Sequence, residues 1–174
     1  MSTNGTYGVK LDGVLKALYC HWDGYPSGLG VDVAKDYQAL KSDPEKFKRQ
    51  ARELKVVNEA SGPVPPKTAE KLQLWTNQNV GGAHSGWYKV TRDLQGNLRS
   101  NLAIGYGYSG ENMGGIEWSY IIDLDSDRFL VFQGPVPPVD HVGPYRGRRY
   151  DFETPYASIP LDELTPEWVE ALEA

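Results

Sequence analysis

The sequence predicts an α+β fold, with an antiparallel sheet built from hairpins and helices packed on one face of the sheet. First, Asp12-Gly13 separates two runs of alternating apolar residues, and Asp-Gly favours the type I′ turn of a two-residue hairpin. Second, helical periodicity dominates residues 31–75, and a second pair of alternating runs follows residue 115. Strands and helices do not alternate regularly, as they would in a parallel α/β fold.

Residues 1–30 are expected to form a β-hairpin followed by a loop. The strands are predicted at 7–11 and 14–20, and the loop reads His-Trp-Asp-Gly-Tyr-Pro-Ser-Gly-Leu-Gly. If strand geometry continues past residue 20, the side chains of Tyr19, His21 and Asp23 share one face of the chain.

Residues 31–77 are expected to be helical. Apolar residues recur at i, i+4 and i+7 from Val33, as in a short amphipathic helix. Ser42 and Glu45 have the spacing of a capping box and predict the start of a second helix. A third helix is predicted over 68–75.

Residues 86–174 are expected to hold antiparallel strands and a terminal helix. The predicted strands are 87–91, 102–108, 116–124, 128–133 and 156–161. Thr165, followed by Pro and Glu, has the pattern of a helix N-cap. A chain of 174 residues fits one domain, 1–174.

Composition restricts the classes of partner. The formal net charge of −5 disfavours a duplex nucleic acid. The single cysteine excludes an internal disulfide and fits a reducing compartment. No run approaches the roughly 20 apolar residues of a membrane span, and the first residues lack a signal-peptide pattern. We therefore expect a cytoplasmic protein without a membrane partner, while its oligomeric state stays open.

The loop that starts at His21 is the first candidate site. It concentrates ionisable, aromatic and conformationally special residues, and such loops on a rigid scaffold often carry binding or catalysis. The candidate ligand or partner contacts are His21, Trp22, Asp23 and Tyr25. The alternative is structural: the aromatic residues anchor the core, and Asp23 caps a turn.

The other two histidines, His84 and His141, also lie in segments rich in Gly or Pro. If these loops converge on His21, they could form a metal or acid–base centre with Asp23 and Asp140. The spacing matches no recognised metal motif, so the sequence predicts no cofactor and no metal site. Such histidines can equally hold loops in place.

A basic cluster near residue 147 is the second candidate site. Arg146 and Arg148, with Arg149, lie between Tyr145 and Tyr150. Guanidinium groups can bind phosphate while aromatic rings stack on a base. The alternative is that these arginines pair with nearby acidic residues.

Two short patterns resemble a dinucleotide-binding motif and a calcium-binding loop but lack features that those motifs require. Residues 105–110 read G-x-G-x-x-G, but the dinucleotide fingerprint needs a helix at its third glycine, whereas a loop is predicted here. Asp123, Asp125 and Asp127 resemble the start of an EF-hand loop, yet the required Gly and Glu are missing. These acidic residues are predicted to lie in a hairpin turn.

Three segments carry a family resemblance. They are Tyr19-x-His21-Trp22-Asp23-Gly24-Tyr25-Pro26, the Glu-Trp-x-Tyr-x-Ile-Asp-Leu run of 117–124, and the Tyr-Ala-Ser-x-Pro-Leu-Asp-x-Leu run of 156–164. The chain resembles a family of uncharacterised small proteins common in actinobacteria and their bacteriophages. The resemblance implies a phage or actinobacterial cytosolic accessory protein, and it transfers no catalytic residues.

The functional expectation is a phage-type accessory protein that binds a host protein or a small anionic, nucleotide-like ligand without catalysis. The alternative is a small hydrolase in which His21 and Asp23 act as an acid–base pair, with or without a metal. A structural or assembly subunit is a third possibility.

Overall fold

A five-stranded sheet forms the centre of the fold. The computed structural model describes residues 3–75, 86–109, 115–135 and 155–173. Within these ranges the strands are β1 (Asn4–Leu11), β2 (Val14–Cys20), β3 (Lys55–Val57), β4 (Tyr106–Tyr108), β5 (Ile116–Asp123), β6 (Arg128–Gln133) and β7 (Ala157–Pro160). The large sheet has the order β2-β1-β5-β6-β7, and β3 pairs with β4 separately.

The predicted α+β class is confirmed, and the sheet is mostly antiparallel. The β1–β2 and β5–β6 pairs are antiparallel, as the two hairpin signals predicted, and the β6–β7 pair is antiparallel as well. The central pair, β1 with β5, is parallel. Since β5 follows β1 by more than a hundred residues, no turn signal could reveal this pairing.

Helices pack on one face of the large sheet. The helices of the described residues are α1 (Val31–Leu40), α2 (Pro44–Glu53), α3 (Pro66–Gln73), α4 (Trp87–Thr91), α5 (Leu98–Ile104) and α6 (Pro166–Glu170). Residues of α1, α2, α5 and α6 share one buried cluster with β1, β2, β5 and β6. A second cluster joins α3, α4 and the β3–β4 pair. No helix within the described ranges is long and apolar enough to cross a membrane.

The first hairpin forms as predicted and is braced by the second. Asp12 and Gly13 have φ of 56° and 74°, as a type I′ turn requires. The carboxylate of Asp125 accepts hydrogen bonds from both backbone N–H groups, at 2.8 and 2.9 Å. The acidic run around Asp125 therefore lies in a hairpin turn, as predicted, and also joins two hairpins.

The predicted strand 87–91 is wrong. Residues 87–91 form α4, in which Trp87 and Val90 face the second cluster at helical spacing and Thr91 is also buried. The carboxylate of Glu59 accepts from the N–H of Tyr88 at 2.9 Å. The tertiary contact supplies a cap that local sequence lacks.

The predicted strand 102–108 is the end of α5 followed by β4. Asn97 caps α5 by accepting from the N–H of Ser100 at 3.1 Å, and Gly105 ends it in the left-handed region at φ 87°. The G-x-G-x-x-G pattern therefore begins at a helix C-terminus, which is opposite to the dinucleotide arrangement.

The capping box predicted for the second helix is also wrong in detail. Asp43, not Ser42, is the N-cap of α2, and its carboxylate accepts from the N–H of Lys46 at 3.2 Å. The Ser42 hydroxyl instead donates to the carbonyl of Ala39. The terminal helix is capped by Thr165, as predicted.

A buried hydrogen bond joins the sheet to α5. Tyr7 of β1 is 1% exposed, and its hydroxyl donates to Asn101 Oδ1 at 2.6 Å. The Asn101 amide in turn donates to the carbonyl of Tyr106 at 3.0 Å. Burial raises the pKa of Tyr7 far above its ordinary value, so the hydroxyl stays protonated and remains a donor.

We expect Tyr7→Phe to lower the free energy of unfolding by about 1–3 kcal/mol, because Asn101 Oδ1 then loses its donor inside the core. Urea unfolding followed by circular dichroism measures the change. Tyr37→Phe is the matched control, since the Tyr37 hydroxyl makes no hydrogen bond within the described part of the chain. Equal losses in the two variants would contradict this account.

Candidate functional site

The loop after β2 crosses directly over the beginning of β1. The N–H of Gly24 donates to the carbonyl of Thr3 at 2.8 Å, and its own carbonyl accepts from the Tyr120 hydroxyl at 2.8 Å. A Cβ on Gly24 would lie 2.7 Å from the backbone carbon of Asn4. Only glycine permits this close approach of two backbones.

After the crossing, the chain turns tightly into α1. Residues Pro26–Gly30 form a π-type turn that runs straight into the helix. The N–H of Leu29 donates back to the carbonyl of Asp23 at 2.7 Å, and Ser27 N–H donates to the Glu173 carboxylate at 2.7 Å. The loop is therefore held at both ends by hydrogen bonds, and Trp22 and Asp23 near its start are exposed.

His21 is held by two neighbours. Its Nδ1 shares a 2.6 Å hydrogen bond with the Tyr19 hydroxyl, and its backbone N–H donates to Gln95 Oε1 at 3.0 Å. Asp23 does not join them, because β2 ends at Cys20 and Asp23 adopts a left-handed φ of 52°. The predicted shared face therefore ends at His21.

The Asp23 carboxylate is bonded to the other end of the loop. It accepts from the Tyr25 hydroxyl at 3.0 Å, and this hydrogen bond raises the pKa of Tyr25 above its ordinary value. The structure thus gives His21 and Asp23 separate hydrogen-bond partners. Asp23 acts as a turn residue with a carboxylate at the surface.

Trp22 is the exposed aromatic residue of the loop. Its side chain is 39% exposed, and the guanidinium of Arg92 lies 4.9 Å from the centre of its ring. The His21 ring meets the indole edge-on at 5.2 Å. This cation–π contact and the ring contact hold the indole in place at the surface.

A pocket of about 490 Å³ opens beside Trp22. Its walls come from the loop, the first turns of α1 and the turn before α5. Four carboxyl groups line it, against a single lysine. These charged residues are Asp23, Asp32, Asp36, Asp93 and Lys35.

Burial perturbs two of these carboxyl groups. Desolvation raises the pKa of Asp32 and of Asp36 above the ordinary value for aspartate. Asp36 is also structural, because it accepts from the backbone N–H of Leu98 at 3.0 Å and so joins α1 to α5. Like charges crowded into one pocket are costly to the protein unless a cation binds there.

The metal hypothesis has no support among the described residues. Within residues 3–75, 86–109, 115–135 and 155–173 there is no group of three His, Cys, Asp or Glu side chains that could hold a metal. His84, Asp140 and His141 lie outside those ranges, as do Arg146 and Arg148. Convergence of the histidine loops and phosphate binding by the arginines therefore stay predictions.

Cys20 is a core residue. It is buried, burial raises the pKa of its thiol, and its Sγ donates to the carbonyl of Trp22 at 3.2 Å. It therefore lacks the features of a reactive thiolate.

Sequence reasoning missed the residues that complete the pocket. Asp32, Lys35 and Asp36 were visible as the polar side of the first helix, but nothing local shows which side faces the loop. Arg92 and Gln95 contact the loop across 70 or more residues, and no local pattern marks them.

Comparisons with known proteins add no relative: no family model, no curated protein and no solved structure matches this chain.

We expect Tyr120→Phe to lower the free energy of unfolding by about 1–3 kcal/mol, because the Gly24 carbonyl loses its buried donor. The loop should also loosen, which iodide quenching would detect as greater access to Trp22, taken as the difference between Tyr120→Phe and Tyr120→Phe/Trp22→Phe because the chain has four other tryptophans. Tyr88→Phe is the control, since its hydroxyl has no hydrogen-bond partner in the described ranges. Unchanged stability and quenching in Tyr120→Phe would contradict this anchoring role.

Proposed function

We propose that this protein is a phage-type accessory protein that acts by binding and not by catalysis. Its partner is a protein that presents a positively charged segment to the pocket beside Trp22. The observation that carries the proposal is the charge of that pocket, where four carboxyl groups face one lysine. A lysine or arginine side chain from a partner would relieve this repulsion.

Trp22 supplies the apolar part of the proposed contact. Tryptophan is among the residues that contribute most to protein interfaces, because it offers a large rigid surface. Here the indole is already ordered by Arg92 and His21, so binding would cost little side-chain entropy. The rigid loop, fixed through Gly24, supports the same interpretation.

The same charges make an anionic ligand a poor fit for this pocket. A phosphate would face the carboxyl groups, and the nearby Arg92 guanidinium already lies over the Trp22 ring. The prediction that Arg146 and Arg148 bind a small anionic ligand concerns a segment outside the described ranges.

The hydrogen bonds of the loop also favour binding over hydrolysis. An acid–base pair needs its two groups within reach of one substrate proton. The partner of His21 is Tyr19, whereas that of Asp23 is Tyr25. The hydrolase alternative therefore has no specific observation that favours it.

The charge proposal is tested with the double variant Asp32→Asn/Asp93→Asn. A fluorescein-labelled tetra-arginine peptide, titrated by fluorescence anisotropy at low salt, should bind about tenfold more weakly to this variant than to the original chain. Trp22→Ala should weaken binding by a similar factor.

Asp162→Asn/Glu163→Gln is the matched control, because it also removes two carboxylates, both exposed and outside the pocket. It should bind the peptide as the original chain does. Equal affinity in all variants, or equal binding of a tetra-glutamate peptide, would overturn the proposal.

Binding should also weaken as the pH falls, beginning at a higher pH than ordinary aspartates would give. The raised pKa of Asp32 and Asp36 means that these groups gain protons at a higher pH than an ordinary aspartate, as the pH falls. Protonation removes the negative charge that attracts the peptide, whose arginines stay charged throughout. Anisotropy titrations at decreasing pH measure the effect.

Asp32→Asn should show a shallower pH dependence, because one of the titrating groups is gone. Affinity that stays constant until ordinary carboxylates protonate would contradict the role given to Asp32 and Asp36.

A further inference from the structure

A second pocket, of about 620 Å³, lies on the other side of Asp36. Its walls come from the second half of α1, the first turns of α2 and α5, and Trp75, which follows α3. The lining residues that matter here are Lys46, Gln50, Trp75, Asn97, Arg99 and Phe47. We propose that this pocket binds a small phosphorylated aromatic ligand of the size of a mononucleotide. The proposal is independent of the peptide-binding function.

Two exposed cations line this pocket. Lys46 and Arg99 are both exposed, and neither side chain forms a hydrogen bond or a close ion pair within the described part of the chain. They project from different helices, α2 and α5, toward the same pocket. An ammonium and a guanidinium converging on one space are suited to phosphate oxygens.

The carboxyl groups of this pocket are already engaged. Asp43 accepts from the N–H of Lys46, and Asp36 accepts from the N–H of Leu98. These hydrogen bonds hold both carboxylates against the backbone, and the charge of Arg99 partly offsets the raised pKa of Asp36. The lining therefore holds two cations and two carboxyl groups, whereas a single lysine faces four carboxyl groups in the pocket beside Trp22.

Trp75 adds an aromatic surface at the pocket. Its side chain is 43% exposed although tryptophan is usually well buried, and it belongs to the chain just after α3. An exposed indole beside two cations suits a ligand that has both a flat ring and a phosphate. The buried ring of Phe47, on α2, forms part of the apolar wall of the pocket.

The dimensions fit a small molecule better than a polymer. Small-molecule sites generally occupy about 300–1,000 Å³, which includes this pocket. A nucleic acid strand needs an extended basic groove, whereas this pocket offers two cations on a chain with net charge −5. The Gln50 amide, which has no hydrogen-bond partner in the described ranges, can donate to and accept from the edge of a base.

Isothermal titration calorimetry with AMP, adenosine and inorganic phosphate tests the proposal. AMP should bind at least about tenfold more tightly than adenosine or phosphate, because only AMP uses both the indole and the cations. Arg99→Gln and Lys46→Gln should each weaken AMP binding by about tenfold and leave adenosine unchanged. Trp75→Ala should weaken AMP and adenosine and leave phosphate unchanged.

Lys35→Gln and Trp22→Ala are the matched controls, since they remove a cation and an indole from the other pocket. Both should bind AMP as the original chain does. Within the described ranges, Trp22 contacts the His21 ring and Arg92, and the other substituted side chains form no hydrogen bond or ring contact. Circular dichroism checks that each variant folds.

Three results would overturn the proposal: no heat on adding millimolar AMP to the original chain, the same AMP affinity in the pocket variants as in the controls, or tighter binding of a single-stranded oligonucleotide than of AMP. Failure here would leave tetra-arginine binding unaffected, so the two proposals are distinguishable.

Discussion

The rest of the proposed binding surface depends on the close crossing of Gly24 over the first residues of β1. Two hydrogen bonds fix this crossing, one from Gly24 to Thr3 and one from Tyr120 to Gly24. Because both partners of Gly24 belong to the sheet or the chain entering it, the loop is anchored there. Trp22 and Asp23, before the crossing, lie at the surface, and Pro26–Gly30, after it, lead directly into α1. The crossing thereby sets the position of Trp22 relative to the carboxyl groups of the helix.

The strand under this crossing, β1, is an interior strand of the sheet and also connects the sheet to a helix. It pairs with β2 on one side and β5 on the other, and its Tyr7 hydroxyl reaches Asn101 of α5. A buried hydroxyl bonded to a buried amide is costly to break, so α5 is held in a defined position on the sheet. This position matters because α5 and the turn before it contribute to the walls of both pockets.

The two pockets share Asp36 and Asn97 yet differ in charge. Asp36 lies between them and accepts from the N–H of Leu98, so it contributes to the α1–α5 junction as well as to both linings. One pocket combines Trp22 with a surplus of carboxyl groups, and the other combines Trp75 with two cations and two carboxyl groups. This difference in charge at neighbouring sites would let one small protein bind a basic partner and an anionic ligand separately.

The sequence by itself determined the α+β class, the first and second hairpins, α1 and the capped terminal helix, because each depends on neighbours along the chain. Asp12-Gly13 and Thr165 are such local signals. It also marked the loop at His21 as unusual. Tertiary structure alone decided the parallel β1–β5 pairing, the helix at 87–91 and the charge of the pocket beside Trp22. These features depend on contacts between distant residues, such as Glu59 with Tyr88 and Arg92 with Trp22, which local periodicity and turn chemistry do not encode.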